Sequence, residues 1–223
     1  MGRKQMGGGY DKGPDHYAQR AKKEGYPARS VYKLEEIQVK LRVMRHGDHV
    51  LDIGAAPGSW TLYASRQTSP GGRIVAVDVA RLAIPNLPRN IAFLQGDAFS
   101  PELLGKLEPL APFNVILSDA APSTTGNRTV DAGRSFQIAS GVLDLAVSYL
   151  SPGGNLVVKI FQGGDEGALL ARMRELFESA RMLKPRASRS ISFETYGIGI
   201  GKRSSGGEFY RPCADIHKGY IDD

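Results

Sequence analysis

Cysteine is nearly missing from this chain: Cys213 is the only one in 223 residues, so no internal disulfide can form and a reducing, cytoplasmic setting is expected. Histidine is scarce too, at positions 16, 46, 49 and 217, and these residues make no ligand-spaced cluster with the cysteine. No structural metal site is therefore expected. No apolar run is long enough to span a bilayer, and the opening MGRKQMGGGYDKG has no apolar stretch of the kind a secretory signal needs. A membrane is thus not among the expected partners. Internal repeats and heptads are also missing, and no exposed apolar helix is evident, which leans towards a monomer. Acidic residues are short in one place only. Residues 1–45 hold eleven Lys/Arg against five Asp/Glu, while the remainder holds eighteen of each, so the whole net charge of +6 sits near the start. A basic segment on a neutral body reads either as a footprint for a polyanion, most simply nucleic acid, or as a solvated helical face.

What is present, 41% of the chain apolar, fits one medium domain with a sizeable core. Residues 1–14 are Gly-rich and expected to be flexible. Residues 15–203 read as a single domain, and 204–223 as an appendage without clear periodicity. Within 15–40 the pattern predicts two short helices, broken at Gly25–Pro27. Strands are expected at 49–54, 72–79, 91–97, 113–120 and 154–161, with late ones near 181–187 and 194–200. Helices are expected at 59–67, 130–150 and 166–179; in the second, Phe136, Ala139, Val142, Leu143, Ala146 and Leu150 fall at helical spacing. This alternation predicts an α/β fold with helices on both faces of a mostly parallel sheet.

In such a sheet, ligands sit beyond the carboxyl ends of the strands. Three strands here end in an acidic residue or are followed closely by one. The first runs into VLDIGAAPGSW, where Gly54 and Gly58 can take positive φ or let a ligand approach the backbone. Asp78 ends the second strand, placed to accept from ribose hydroxyls, and Asp97 follows the third, within reach of an adenine amino group. Each aspartate alone could equally be a turn or cap residue. A dinucleotide fingerprint fails, because Ala56 stands where its second glycine belongs and Pro57 follows. An adenosine ligand without phosphates and with a cationic sulfonium suits an acid-lined turn better. That ligand is S-adenosylmethionine.

The strand GNLVVKIF at 154–161 poses a separate problem, since Lys159 lies in an apolar, β-branched run. Either the ammonium reaches water from the strand's end, or something pairs with it. Asp119 ends the preceding strand in ILSDAAPSTTG, so neighbouring strands would bring the two together. Glu194 lies near the start of a late strand, and Lys33 lies on an early helix, four residues after Arg29 and so expected on the same face.

The motifs ARSVYKLEEIQ, VLDIGAAPGSW, SDAAPS, VVKIFQG and FETY, in this order over about residues 15–203, resemble the FtsJ/RrmJ family of ribosomal RNA 2′-O-methyltransferases. The resemblance implies a Rossmann-like methyltransferase fold with a seven-stranded sheet. It also implies a catalytic Lys-Asp-Lys-Glu tetrad of Lys33, Asp119, Lys159 and Glu194. Cofactor contacts are implied at Gly58, Trp60, Asp78, Asp97 and Asp119. The implied substrate is a ribose, of a uridine, in large-subunit ribosomal RNA within an assembling particle. Phe193 departs from the family, standing where relatives usually carry arginine, which removes an RNA contact; Ser59 replaces a frequent glycine. Arg20, Lys22, Lys23 and Arg29, in a basic segment with Tyr17 and Tyr26 interleaved, are the expected RNA contacts, while Tyr32 is expected in the core. The alternatives are a small-molecule methyltransferase, an RNA-binding assembly factor that holds S-adenosylmethionine without turnover, and an enzyme acting on tRNA or another RNA.

Overall fold

The structure, a computed structural model, describes residues 14–163, 165–188 and 192–204. Residues 1–13 of the expected flexible start, and the expected appendage from 205 with Cys213 and His217, lie outside the described residues. Seven strands form one sheet: β1 (His49–Ile53), β2 (Arg73–Asp78), β3 (Ile91–Gln95), β4 (Phe113–Ser118), β5 (Leu150–Phe161), β6 (Phe177–Leu183) and β7 (Glu194–Lys202). Their order is β3-β2-β1-β4-β5-β7-β6. The first five strands run parallel, and β7 enters antiparallel between β5 and β6. Chain order reverses between β1 and β4, so the crevice above their carboxyl ends is the place for a ligand.

The pleat sorts the strand side chains onto two faces. Val50, Ile74, Ala76, Val115, Leu117, Val157, Tyr196 and Ile198 join one core with α2 (Val31–Leu41) and α3 (Ser59–Thr68). Leu51, Val75, Ile116, Leu156, Val158 and Ile160 join the other, packed by α5 (Arg128–Tyr149) and α6 (Glu166–Leu176). Both faces are dry, which is why the strands read as unbroken apolar runs. Alternation also fixes the site: with Val158 and Ile160 on the α5 face, Lys159 must project on the α2/α3 face beside Tyr196.

Several expected boundaries shift. A two-turn helix, α4 (Pro101–Leu107), was not anticipated; only Leu103 and Leu107 are buried on it, too few for a periodic signal. The helix expected to reach 179 ends at Leu176, and the strand expected at 181–187 is β6, four residues earlier in its start. The strand expected at 154–161 begins four residues earlier: β5 already pairs at Leu150, with the register slipping between Phe113 and Val115 and Gly153 at φ 76°. An irregularity in the pairing, with Leu150 opposite Phe113 and Asn155 opposite Val115, absorbs the Pro-Gly pair. The two N-terminal helices are found, α1 (Pro14–Lys23) and α2, but α2 starts at Val31, after Arg29.

Candidate active site

β4 and β5 are parallel neighbours, with Ser118 opposite Val158, so Asp119 and Lys159 leave their strands side by side. Lys159 Nζ lies 3.1 Å from Asp119 Oδ1 and also donates to the backbone carbonyl of Asp119. The ammonium is buried, 8% exposed, and the carboxylate is what makes that burial tolerable. Lys33, in the first turn of α2, pairs with Glu194 at 2.6 Å; both side chains keep a little exposure, 13% and 12%. Glu194 sits opposite Phe161 in the β5–β7 ladder, and Tyr196 opposite Lys159, so the second ion pair stands two residues along from the first. Tyr196 anchors the first pair: its hydroxyl donates to Asp119 Oδ1 at 2.7 Å. Burial, then the charges of Asp119 and Glu194, push its phenol well above the ordinary value, so it remains a donor. The four residues expected to converge are thus brought together as two ion pairs two ladder positions apart, with a tyrosine hydrogen-bonded to the first. The water-seeking alternative for Lys159 is not what the structure shows.

The first turn after β1 is built for close approach. Gly54 has φ 72°, and a Cβ there would lie 2.6 Å from Ala120 Cα, so the turn can rest directly on the backbone following Asp119. Gly58 has φ 114°, and its Cβ would strike Ile84. Asp78 accepts from Ala56 N at 2.8 Å and Ala80 N at 2.7 Å, which ties β2 to this turn and leaves carboxylate lone pairs over. Asp97 is exposed and accepts from Phe99 N. Trp60 is nearly inaccessible, at 2%, and its indole donates to Ser30 O at 2.9 Å. Its side chain fastens α3 to the entry of α2, leaving only its backbone to face a ligand.

Three residues beyond the expected set belong to this neighbourhood. Tyr196 could have been found from Glu194, since residues two apart on a strand share a face. Val79, directly after Asp78, is 69% exposed, an aliphatic side chain left open beside an acid-lined turn. Asp52 is fully buried under the turn: Thr61 donates to Oδ2 at 2.6 Å while Oδ1 has no hydrogen-bond partner. Burial pushes its carboxyl up to about 7; the Thr61 bond opposes this, and the charges of Asp119 and Asp78 add to it. No sequence signal separates this aspartate from an ordinary strand residue.

The basic segment is more internal than its charge suggests. Arg20 pairs with Glu24 at 2.7 Å and Glu35 at 3.3 Å, and lies 4.3 Å from the Tyr32 ring centre. Tyr32 is buried, as expected, while Tyr17 and Tyr26 are half-buried against the same core. Arg29 precedes α2, so it does not share a helix face with Lys33; it donates to Ala187 O at 2.9 Å. Lys22 and Lys23 are exposed. Among the described residues no group of three His, Cys, Asp or Glu side chains is placed to hold a metal.

A family model described as FtsJ-like methyltransferase matches residues 26–202. The chain belongs to that family. It is therefore a methyltransferase, and S-adenosylmethionine is its cofactor. Among curated relatives, the ribosomal RNA large subunit methyltransferase E of Treponema denticola is 47% identical over 191 residues, 84% of this chain and 94% of the relative. The protein of that name from Desulfosudis oleivorans is 44% identical over 194 residues, 87% and 93% of the two chains. In fold, the chain resembles a ribosomal RNA methyltransferase from Plasmodium falciparum, with TM-score 0.70 and 24% identity over 79% of this chain and 98% of that one. It also resembles Aeropyrum pernix fibrillarin, a structure with S-adenosylmethionine bound, at TM-score 0.51 and 18% identity over 78% and 75%. The cradle fits that cofactor: a turn with no room for side chains at Gly54 and Gly58, carboxylates at Asp78 and Asp97, and no phosphate-binding glycine pattern.

Proposed function

We propose that this methyltransferase transfers a methyl group to the 2′-hydroxyl of a ribose in large-subunit ribosomal RNA, with Lys33, Asp119, Lys159 and Glu194 as its catalytic tetrad. The supporting observation is the convergence of two lysine–carboxylate pairs beside the glycine turn, from an α-helix and three strands. S-adenosylmethionine, when bound, supplies a methyl group already activated on a sulfonium. The chain's task is to hold the attacking oxygen in line with that carbon and to manage one proton. Asp119 accepts from Lys159 through its side chain and its backbone carbonyl. These two bonds orient Nζ and leave its remaining tetrahedral direction for the ribose oxygen. A neutral amine there takes the proton as a general base; an ammonium stabilises the charge that develops on oxygen. Tyr196 donates to the same Asp119 oxygen and holds it in place, and the Lys33–Glu194 pair stands next along the site. Gly54, Gly58, the backbone of Trp60, Asp78, Asp97 and Asp119 are the cofactor contacts in this reading, with Val79 against the adenine.

The names of the curated relatives support the large ribosomal subunit as the source of the substrate. The surplus of basic residues near the start supports an RNA over a small molecule. The test is transfer of labelled methyl groups to undermethylated large ribosomal particles, with free RNA and a cap analogue as comparisons. Label entering the particles' RNA is expected. Label entering only the cap analogue, or none at all, would contradict the assignment.

A further inference from the structure

Beside the tetrad lies an aromatic and cationic cluster that the chemistry above leaves unused. Phe161 ends β5, and Phe193 stands immediately before Glu194; their ring centres are 4.7 Å apart, edge to face at 68°. Both are half-buried, and Gln162 N donates to Phe193 O at 2.7 Å, which locks the two chain segments together. Arg128, the first residue of α5, places its guanidinium carbon 5.2 Å from the Phe193 ring centre. Arg128 is exposed and has no carboxylate partner among the described residues. The start of α5 does not need it: Asn127 caps the helix by accepting from Thr129 N and Val130 N. The arginine that the family resemblance expects at position 193 is absent, and a guanidinium from another element covers that residue instead.

We propose that Phe161, Phe193 and Arg128 form a subsite for the nucleotide adjoining the methylated ribose, Arg128 gripping its phosphate and the aromatic pair supporting its base. Rings and a guanidinium recognise single-stranded RNA without reading its sequence. A cation held over an aromatic face is also partly ordered before it meets its anion. Position supports the role: Phe193 is joined to Glu194 through the backbone, and Phe161 lies opposite Glu194 in the ladder. The rings thus flank the tetrad, where a nucleotide next to a ribose at Lys159 would lie. The subsite rests on the RNA reading given above.

The full chain is assayed on undermethylated large ribosomal particles over a range of salt concentrations. Arg128→Gln is expected to raise KM for the particles by about tenfold or more, as loss of a charged hydrogen bond does. It should flatten the slope of log affinity against log salt by about 0.7, one single-strand phosphate contact. The loss should fall on KM rather than kcat, with S-adenosylmethionine affinity retained. Adding Phe193→Arg to Arg128→Gln should recover most of the KM, since it returns a cation to the same spot; a merely structural role for Arg128 would not be rescued this way. If Arg128→Gln keeps the parent's KM and salt slope, the subsite is wrong while the RNA reading stands. If the unaltered chain transfers nothing to the particles, both fall.

Discussion

Lys159 and Asp52 are both charged-type residues on the same face of the sheet, and they solve burial differently. Lys159 is compensated by Asp119, so it stays placed for chemistry. Lys159→Ala is expected to cut methyl transfer by about 10²–10⁴-fold, the usual contribution of a positioned proton acceptor, while S-adenosylmethionine still binds by calorimetry. Near-parent turnover would remove it from the mechanism. Asp52 has no cation; burial raises its carboxyl to about 7 instead. In the unfolded chain the group titrates near 3.9. Between those values the native state holds a proton that the unfolded state has lost, so this group's contribution to stability falls as pH rises from about 4 to 7. The slope is at most about 1.4 kcal/mol per pH unit. Asp52→Asn, which mimics the protonated form, should therefore gain on the parent protein as pH rises through that window. Urea melts of both at pH 4.5 and 7.5 check this; a constant difference would show that Asp52 is not carrying the proton.

At the scale of elements, the turn from β1 into α3 does the most for the site. Gly54→Ala would force a side chain into the left-handed region and against the Ala120 backbone, the residue after Asp119. More than about 1 kcal/mol of stability should go, along with cofactor affinity, measurable as a lower Tm and a higher Kd. Much of this turn was legible, because glycines, a proline and a strand-end aspartate are local signals. The strand–helix rhythm was legible for the same reason, and so were the two helices broken at Gly25–Pro27. Less legible was anything set by distant partners. Pro152–Gly154 reads locally as a turn, yet pairing of Leu150 with Phe113 places it at an irregularity inside β5. α4 carried a readable start, Ser100 accepting from Leu103 N with proline next, but too short an apolar stripe to be noticed. The antiparallel entry of β7 between β5 and β6 has no local signature, and that entry is what puts Glu194 and Tyr196 beside Lys159. The motifs and the resemblance carry the site residues, and strand spacing carries Tyr196 from Glu194; the tyrosine's bond to Asp119 and the orphaned Asp52 oxygen are set by the packing alone.

For the whole molecule, the unequal charge distribution matters more than any single basic residue. Arg20 and Arg29 are occupied within the fold, so Lys22 and Lys23 on α1 are the exposed cations of the expected set. Replacing both by Gln should flatten the salt dependence of RNA binding by about 1.4 in log–log slope, two single-strand contacts, and leave S-adenosylmethionine binding alone. An unchanged slope would mark this as a solvated face. The two ion pairs, the tyrosine on Asp119 and the glycine turn all serve one geometric end, a ribose oxygen facing a methyl group, and the position of the transferred methyl group tests that directly. Alkali cleaves RNA through a free 2′-hydroxyl. RNA labelled by this chain and then hydrolysed in alkali should yield its label in a resistant dinucleotide. Label released in a mononucleotide would place the methyl group on a base and contradict the account.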